Sequence, residues 1–595
     1  MESKMLSHNW NLENLFKGGS KSYEFQTYLT NLEDTISEME LLINKLSVER
    51  GKVNIVLLKE IISYHALNDN RLIQSNSFIS CLRSQDLNDK YTDILSGKVS
   101  DLNASYQNAL NLFDKKLSLI DDIEWNDILK SPEINTLNFI LNERREGAKE
   151  SLSSNEEKVI SELSIDGYHS WGIMYEKVVS NFKIDFKGEE LSAGQTYNLF
   201  DSGDRALREQ IFEKWENEWL IHSEYLAAIL NNISGFRLRV YKLRGWDNFL
   251  REPLKINRMQ SETLDSMWKA VEKSKVPLIK YMERKAAILG IGKLSWFDLH
   301  APLSEHTKIM PYQEGSDFIL KKFEEFGPKL RNFATKAFEN RWIEVEDRPG
   351  KSPGGFCTDF PEQNETRIFM TYSGTQTNIS TLAHELGHAF HTDTMKDVHS
   401  LNKNYTMNVA ETASTFAELL VIDAAIKGTD DSKEKISLID NKLQNAVSLL
   451  MYIHSRFIFE TSFYEERKNG LVSRERISDL MLQSQKEAFG NSLDKYHPLF
   501  WASKMHFYLT DIPFYNFPYT FGYLFSLGIY AKYLNDRDNF EDTYINLLKD
   551  TGCMSVEQLA LKHLGIDITK VDFWENAISV VDKDVELFLS LTSEL

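Results

Sequence analysis

Cysteine is scarce and scattered: Cys81, Cys357 and Cys553 are the only three in 595 residues. Neither a disulfide framework nor a cysteine-held metal follows from them, and a reducing compartment is the default expectation. Proline is also sparse. Pro132 is the only one before Pro253, so long helices can run uninterrupted through the first part of the chain. No stretch of about 18 apolar residues is present, which argues against a membrane-spanning helix. The start, Met1 to Trp10, lacks an apolar core of signal-peptide length, and a cytoplasmic location is expected. Positive charge is short as well: 68 Lys and Arg against 88 Asp and Glu leave a net charge of −20. That argues against a nucleic-acid surface and is compatible with weak steering of cationic peptides. No fixed-period repeat occurs, so a solenoid is not expected.

What is present is a globular composition, 42% hydrophobic and 12% aromatic, on a chain long enough to bury a large core. Residues 20–190 carry helical spacing: Phe25, Leu29, Leu32, Ile36, Met39, Ile43 and Leu46, then Leu102, Tyr106, Leu110, Phe113, Leu117 and Ile120. A joint is expected at 191–203. Beyond it, Ala227, Leu230, Ile233 and Phe236 predict another buried stripe. Arg237, Arg239, Lys242, Arg244 and Arg251 form a basic cluster. It could meet peptide carboxylates, but salt bridges within an acidic protein are the simpler reading. Residues 346–365, rich in Gly, Pro and acids, predict a long loop, and Arg367 to Tyr372 is the most strand-like stretch after it. Residues 432–495 are expected to be helical.

The chemistry concentrates in His384-Glu385-Leu386-Gly387-His388. Asn378 and Ser380 can cap a helix here, and Leu382, Leu386, Ala389 and Phe390 give it an apolar stripe. On that helix His384 and His388 project from one face, one turn apart, as two ligands of a single Zn2+ require. Glu385 lies beside them, placed to polarise a water as general base. A catalytic zinc needs a third protein ligand. The continuation His-x-x-Gly-x-x-His fails, because His391 stands where the Gly should be and Thr394 where the last His should be. His391 lies ~10 Å along the axis from His384 and is read as a packed or hydrogen-bonded cleft residue. The alternative is a Glu on a second helix. Glu411 and Glu418 are seven residues apart and share a face. Glu411 is taken as the ligand, and Glu418 either orients a His from behind or is a solvated carboxylate.

These two segments, His384 to His391 and Val409 to Glu418, resemble the thimet oligopeptidase family of zinc peptidases (family M3), and within it the oligoendopeptidase F group. Asp204-Arg205-Ala-Leu-Arg208, Lys242 to Trp246 and Asp298 to Leu303 upstream, and His506 and Pro513 to Tyr523 downstream, are similar to that group's landmarks. The resemblance is strong over residues 190–590. It implies a mainly α fold, a two-lobed helical shell around a deep substrate channel, with a small β-sheet next to the motif helix. It further implies an N-terminal helical domain, 1–200, forming one wall, a catalytic domain, 201–595, and endopeptidase action on short peptides.

By the same resemblance His506 matches a residue that stabilises the transition state, with Tyr515, Tyr519 and Tyr523 as competitors for a second donor to the oxyanion. Peptidases of this class hold the substrate backbone along a strand beside the motif helix. Phe369 and Met370 of the expected strand, and Gly354, Gly355 and Phe356 before it, are therefore candidate substrate contacts, the other reading of the strand being an internal hairpin. The expected activity is a metalloendopeptidase holding one Zn2+ per chain through His384, His388 and Glu411, as a monomer or simple homo-oligomer. A helical zinc carboxypeptidase and a catalytically silent peptide-binding protein are the alternatives.

Overall fold

The structure is a computed structural model that describes residues 5–49, 53–303 and 309–594. The part of the signal-peptide reading that rests on residues 1–4 lies outside them. The described residues form 24 α-helices and five short strands, so the chain is mainly α. No helix among them is long and apolar enough to cross a membrane.

The helical spacing of the first part is realised in helices Tyr23–Lys45, Ile55–Gln85 and Tyr91–Leu119. Every apolar position named there, from Phe25 to Ile120, is buried. They build a first core that runs from Trp10 to Leu141 and takes in Phe360, Phe369 and Leu401. A second, larger core begins at Tyr168 and continues to Phe588. The change of core therefore precedes the joint at 191–203. The reason is local packing: Tyr175 stacks on Tyr508 at 3.9 Å and Phe182 meets Trp219 at 4.4 Å. By packing, residues 168–200 go with the second core. The joint itself holds the short helix Ala193–Asn198, after which Asp204 caps the 39-residue helix Arg205–Leu243 through the backbone N–H groups of Ala206 and Leu207.

Strands β1 (Ile184–Phe186) and β2 (Glu189–Leu191) form a small hairpin. The sheet that matters for the site contains β3 (Ile343–Glu344), β4 (Phe356–Phe360) and β5 (Glu365–Phe369), in the order β3-β5-β4. β5 is parallel to β3 and antiparallel to β4, with Phe356 opposite Phe369 and Phe360 opposite Glu365. Two expectations change here. The long loop over 346–365 contains a strand, because Phe356 to Phe360 pairs with β5 around the turn 361–364. The strand-like stretch 367–372 is central and not an open edge: its backbone continues along β3, with Met370 N–H donating to Glu344 O and Tyr372 N–H to Val345 O.

The sheet is the layer between the two cores. Phe356 and Phe369 stack at 5.2 Å on the face toward the N-terminal helices, where Ser77 and Thr358 hydroxyls lie 2.7 Å apart. Ile368 points to the second core, and Asp359 on that face accepts a bond from Thr392 of the motif helix at 2.8 Å. Truncating Phe369 to Ala should cost about 3–5 kcal/mol. The chemical-denaturation midpoint should fall, with proteolytic nicking appearing first in the N-terminal helices.

Candidate active site

The motif helix spans Gln376–Thr394. Its cap is Thr375, whose hydroxyl accepts from Asn378 N–H while the Asn378 side chain accepts from Thr375 N–H. Asn378 thus closes a capping box from the third helical position, and Ser380, expected at the cap, is buried inside the helix. The helix presents His384 and His388 with ring centroids 4.9 Å apart. The second helix, Met407–Gly428, brings Glu411 against both: its Oε2 lies 3.3 Å from His384 Nε2 and 3.6 Å from His388 Nε2.

Close approach of the helices makes this possible. A Cβ on Gly387 would fall 2.4 Å from the Ala413 carbonyl oxygen, so only glycine lets the two backbones meet. On its other side the ligand helix is met by helix Phe517–Asn535, where a Cβ on Gly522 would lie 3.1 Å from Asn408 O.

The three ligand atoms lie within 4.8 Å of one another. Glu418 Oε2 stands 3.4 Å from His384 Nδ1, and Ser414 Oγ donates to Glu411 Oε2 at 2.7 Å. Two imidazoles and a carboxylate that converge, each steadied from behind, fit a zinc ion. Glu385 is 6% exposed beside them, and its Oε2 has no hydrogen-bond partner. Gly355 faces it: a Cβ there would lie 3.5 Å from Glu385 Oε1 and 3.2 Å from Phe369 O.

A model of peptidase family M3 matches residues 198–580. The chain belongs to that family. A companion model, described as Oligopeptidase F, matches residues 116–184. Oligopeptidase PepF of Bacillus subtilis is 24% identical over 97% of this chain and 86% of its own length. Group B oligopeptidase PepB of Streptococcus agalactiae is 23% identical over 83% of each. Among solved structures, oligoendopeptidase-F from Enterococcus faecium superposes with a TM-score of 0.69 at 17% identity, over 96% of this chain and 99% of that one. A Chlamydophila abortus protein reaches 0.85 at 19% identity, over 99% of both. The fold is the one these peptidases share. This M3 member is a metalloendopeptidase, of a family whose peptidases use zinc.

The structure brings His506, Tyr515 and Tyr519 of this M3 chain together. His506 stacks on Tyr515 with centroids 5.6 Å apart and meets Tyr519 edge-on at 6.0 Å. Tyr519 stands one helical turn before Gly522, which faces Glu411. Tyr523 does not join them. It is 4% exposed and lines a separate cavity with Glu418, Ser380 and Asn445. The side chains of Phe369 and Met370 are buried, and what they present to Gly355 is the Phe369 carbonyl and the Met370 Cβ. His391 is fully buried, stacked on Tyr405 at 4.2 Å and bonded to Thr551 Oγ1 at 2.8 Å, so it does not line the cleft. In the basic cluster Arg244 pairs with Glu157 and Arg251 with Glu150, while Arg237 donates to Tyr168, Tyr464 and Leu509 O. Lys351 escaped notice in the sequence. Its ammonium donates to Glu346 O and Met370 O and pins the Gly354–Gly355 loop to the sheet.

The electrostatics follow from burial and charge. Before any dication is counted, burial works against a charged His384, but the hydrogen bonds and charges of Glu411 and Glu418 outweigh it and raise the ring to about 10. Burial lowers His388 to about 4 against the pull of Glu411. Burial also works against ionised Glu411, yet the two histidines hold it down to about 2. Glu385 is raised to about 7, chiefly by burial. Near neutrality only His384 therefore carries a proton that the metal must displace. Zinc affinity, measured by chelator competition, should rise about tenfold per unit between about pH 7 and 9; a flat profile would contradict the pairing of His384 with its carboxylates. Glu418→Gln, which keeps the shape and removes the charge behind His384, should weaken zinc binding about 10–100-fold.

Proposed function

We propose that this peptidase cuts internal bonds of short, unstructured peptides, with one zinc held by His384, His388 and Glu411 and with Glu385 as general base. The observation that carries this is the buried Glu385 carboxylate, with one oxygen free of partners, standing beside three converging ligand atoms. Zinc at this set would supply a Lewis acid for the water and the scissile carbonyl. Glu385 takes the proton from the attacking water and passes it to the leaving amine. Its burial keeps competing solvent away and favours a carboxylate that can be protonated in mid-reaction.

The backbone of the substrate is met by β4. Among the described residues β4 pairs with β5 alone, so its other edge offers free N–H and C=O groups to an added strand. Gly354, at φ +89°, and Gly355 lead into that edge. The absence of a side chain at 355 lets a peptide approach Glu385. Pairing through backbone groups tolerates many sequences, as an enzyme for varied short peptides needs.

On the facing wall His506 and one of Tyr515 and Tyr519 donate to the oxyanion. Burial, with Arg456 and Lys504 nearby, lowers His506 to about 4, so the ring is neutral and keeps one N–H to donate. One such donor is worth roughly 2.7–4 kcal/mol in the transition state.

The test is mass spectrometry of a mixed set of unstructured peptides incubated with the zinc-loaded protein. Internal cuts are expected, abolished by chelator and slowed about 10²–10⁴-fold in Glu385→Gln, with the zinc content of that variant unchanged. Stepwise loss of single C-terminal residues would replace this reading with a carboxypeptidase. Intact peptides in the presence of bound zinc would replace it with a peptide-binding protein.

A further inference from the structure

The wall that carries His506 also carries two cations that no carboxylate among the described residues neutralises. Arg456, on helix Ile453–Arg467, is 7% exposed. Its Nη1 donates to Asn516 Oδ1 at 3.1 Å, and its buried Nε has no partner. Lys504, partly buried just before His506, sets its ammonium among aromatic rings, 4.8 Å from Tyr197, 5.2 Å from Phe500 and 5.9 Å from Tyr452. Arg456 stands over the same Phe500 and Tyr452 rings, at 5.2 and 5.1 Å. Glu460, one turn along from Arg456, is buried with its Oε2 unpartnered, and burial raises its carboxyl to about 8, so it supplies no full counter-charge near neutrality.

Several other buried cations of this acidic chain are paired with carboxylates, whereas Arg237 donates to two tyrosine hydroxyls and a carbonyl. Lys285 meets Asp440 at 3.2 Å, Lys442 meets Asp584 at 2.7 Å, and Arg208 meets Asp298 at 2.8 Å. An unpaired buried charge is costly. Burial and Arg456 push the Lys504 ammonium down to about 7, which is the signature of a cation short of a counter-ion. The pair is also within reach of the reaction centre. Arg456 bonds Asn516, which leads into the helix carrying Tyr519 and Gly522; the Tyr519 ring meets His506 edge-on, and Gly522 faces Glu411. Just before the helix that carries Arg456 the chain widens to a π turn at Ser448–Tyr452, where the Leu449 carbonyl accepts from Thr520 Oγ1 at 2.6 Å, a distortion frequent at functional sites.

We infer that Lys504 and Arg456, walled by Tyr197, Tyr452 and Phe500, form a subsite for a carboxylate of the bound peptide on the His506 side of the scissile bond. The carboxylate is the free C-terminus or an acidic side chain. The assignment rests on the peptidase reading and makes both cations binding residues.

The experiment compares one cleavable peptide as the free acid and as the C-terminal amide, and the amide with Glu placed at successive positions. Each is measured with the wild type, Lys504→Met and Lys504→Arg. The wild type should favour a carboxylated peptide by about tenfold or more in kcat/KM, through KM. The ratio should fall to about one in Lys504→Met and return in Lys504→Arg. A preference for the acid over the amide identifies the terminus; one seen only in the Glu series identifies the side chain. No preference in the wild type, or the same preference in Lys504→Met, would overturn the subsite. Equilibrium binding of the same peptides to Glu385→Gln, with and without Lys504→Met, separates the two readings. If nothing is cleaved, carboxylate-dependent binding that is lost with Lys504 still supports the subsite, and its absence overturns it.

Discussion

The metal ligands are held in register by one backbone contact, Gly387 against the Ala413 carbonyl. The ligand helix could not approach the motif helix this closely past any side chain, since even a Cβ would sit 2.4 Å from that oxygen. His388 adjoins Gly387 and Glu411 lies two residues from Ala413, so the contact sets the distance across which the three ligands converge. Gly522 makes a looser contact on the other side of the ligand helix, where a Cβ would sit 3.1 Å from Asn408 O. Metal coordination tolerates errors of a few tenths of an ångström, and a helix squeezed between two such contacts has little freedom to drift by more. The glycines do for the backbone what Ser414 and Glu418 do for the side chains.

The second constraint is the sheet. Its central strand, β5, is covered by helices on both faces and paired on both edges, which explains why its sequence is the most strand-like. For the same reason it cannot offer an edge to a substrate. On the proposed reading that falls to β4, whose half-buried Phe-Cys-Thr-Asp-Phe follows a Gly- and Pro-rich stretch and so looks like loop. The side chains of Phe369 and Met370 go to the cores, while Gly355, without one, reaches the reaction centre. Position relative to the layers decides these roles, and layers are not visible in a linear chain.

This marks where the sequence stops being informative. Spacing of four placed His384 and His388 on one face, and spacing of seven placed Glu411 and Glu418 together, because both relations lie within single helices. The long helices of residues 20–120 were legible for the same reason. The tyrosines were not. Tyr519 and Tyr523 are four apart on one helix, yet the first stands in the opening turn near His506 and the second lies deeper, behind Glu418. What separates them is the packing of other elements. Charge was equally misleading: the conspicuous basic run from Arg237 to Arg251 is largely engaged within the protein, whereas Lys504 and Arg456, isolated in sequence, are brought together by the fold.

Those two cations give the cleft a polarity that the net charge of −20 conceals. The screening length in physiological salt is about 8 Å, so carboxylates on the outer surface contribute little inside. Within the cleft, Glu385, Glu411 and Glu418 lie on one wall, opposed by the histidines and by the dication they are suited to hold. Lys504 and Arg456 lie on the other wall, with no carboxylate ion pair among the described residues. Backbone pairing along β4 is indifferent to sequence and, by itself, to where along the peptide the cut falls. A fixed positive site beyond His506 breaks that indifference, because a carboxylate bound there sets which peptide bond lies over Glu385. Tolerance of sequence and choice of register then come from different walls of one cleft, the first from hydrogen bonds to backbone, the second from charge.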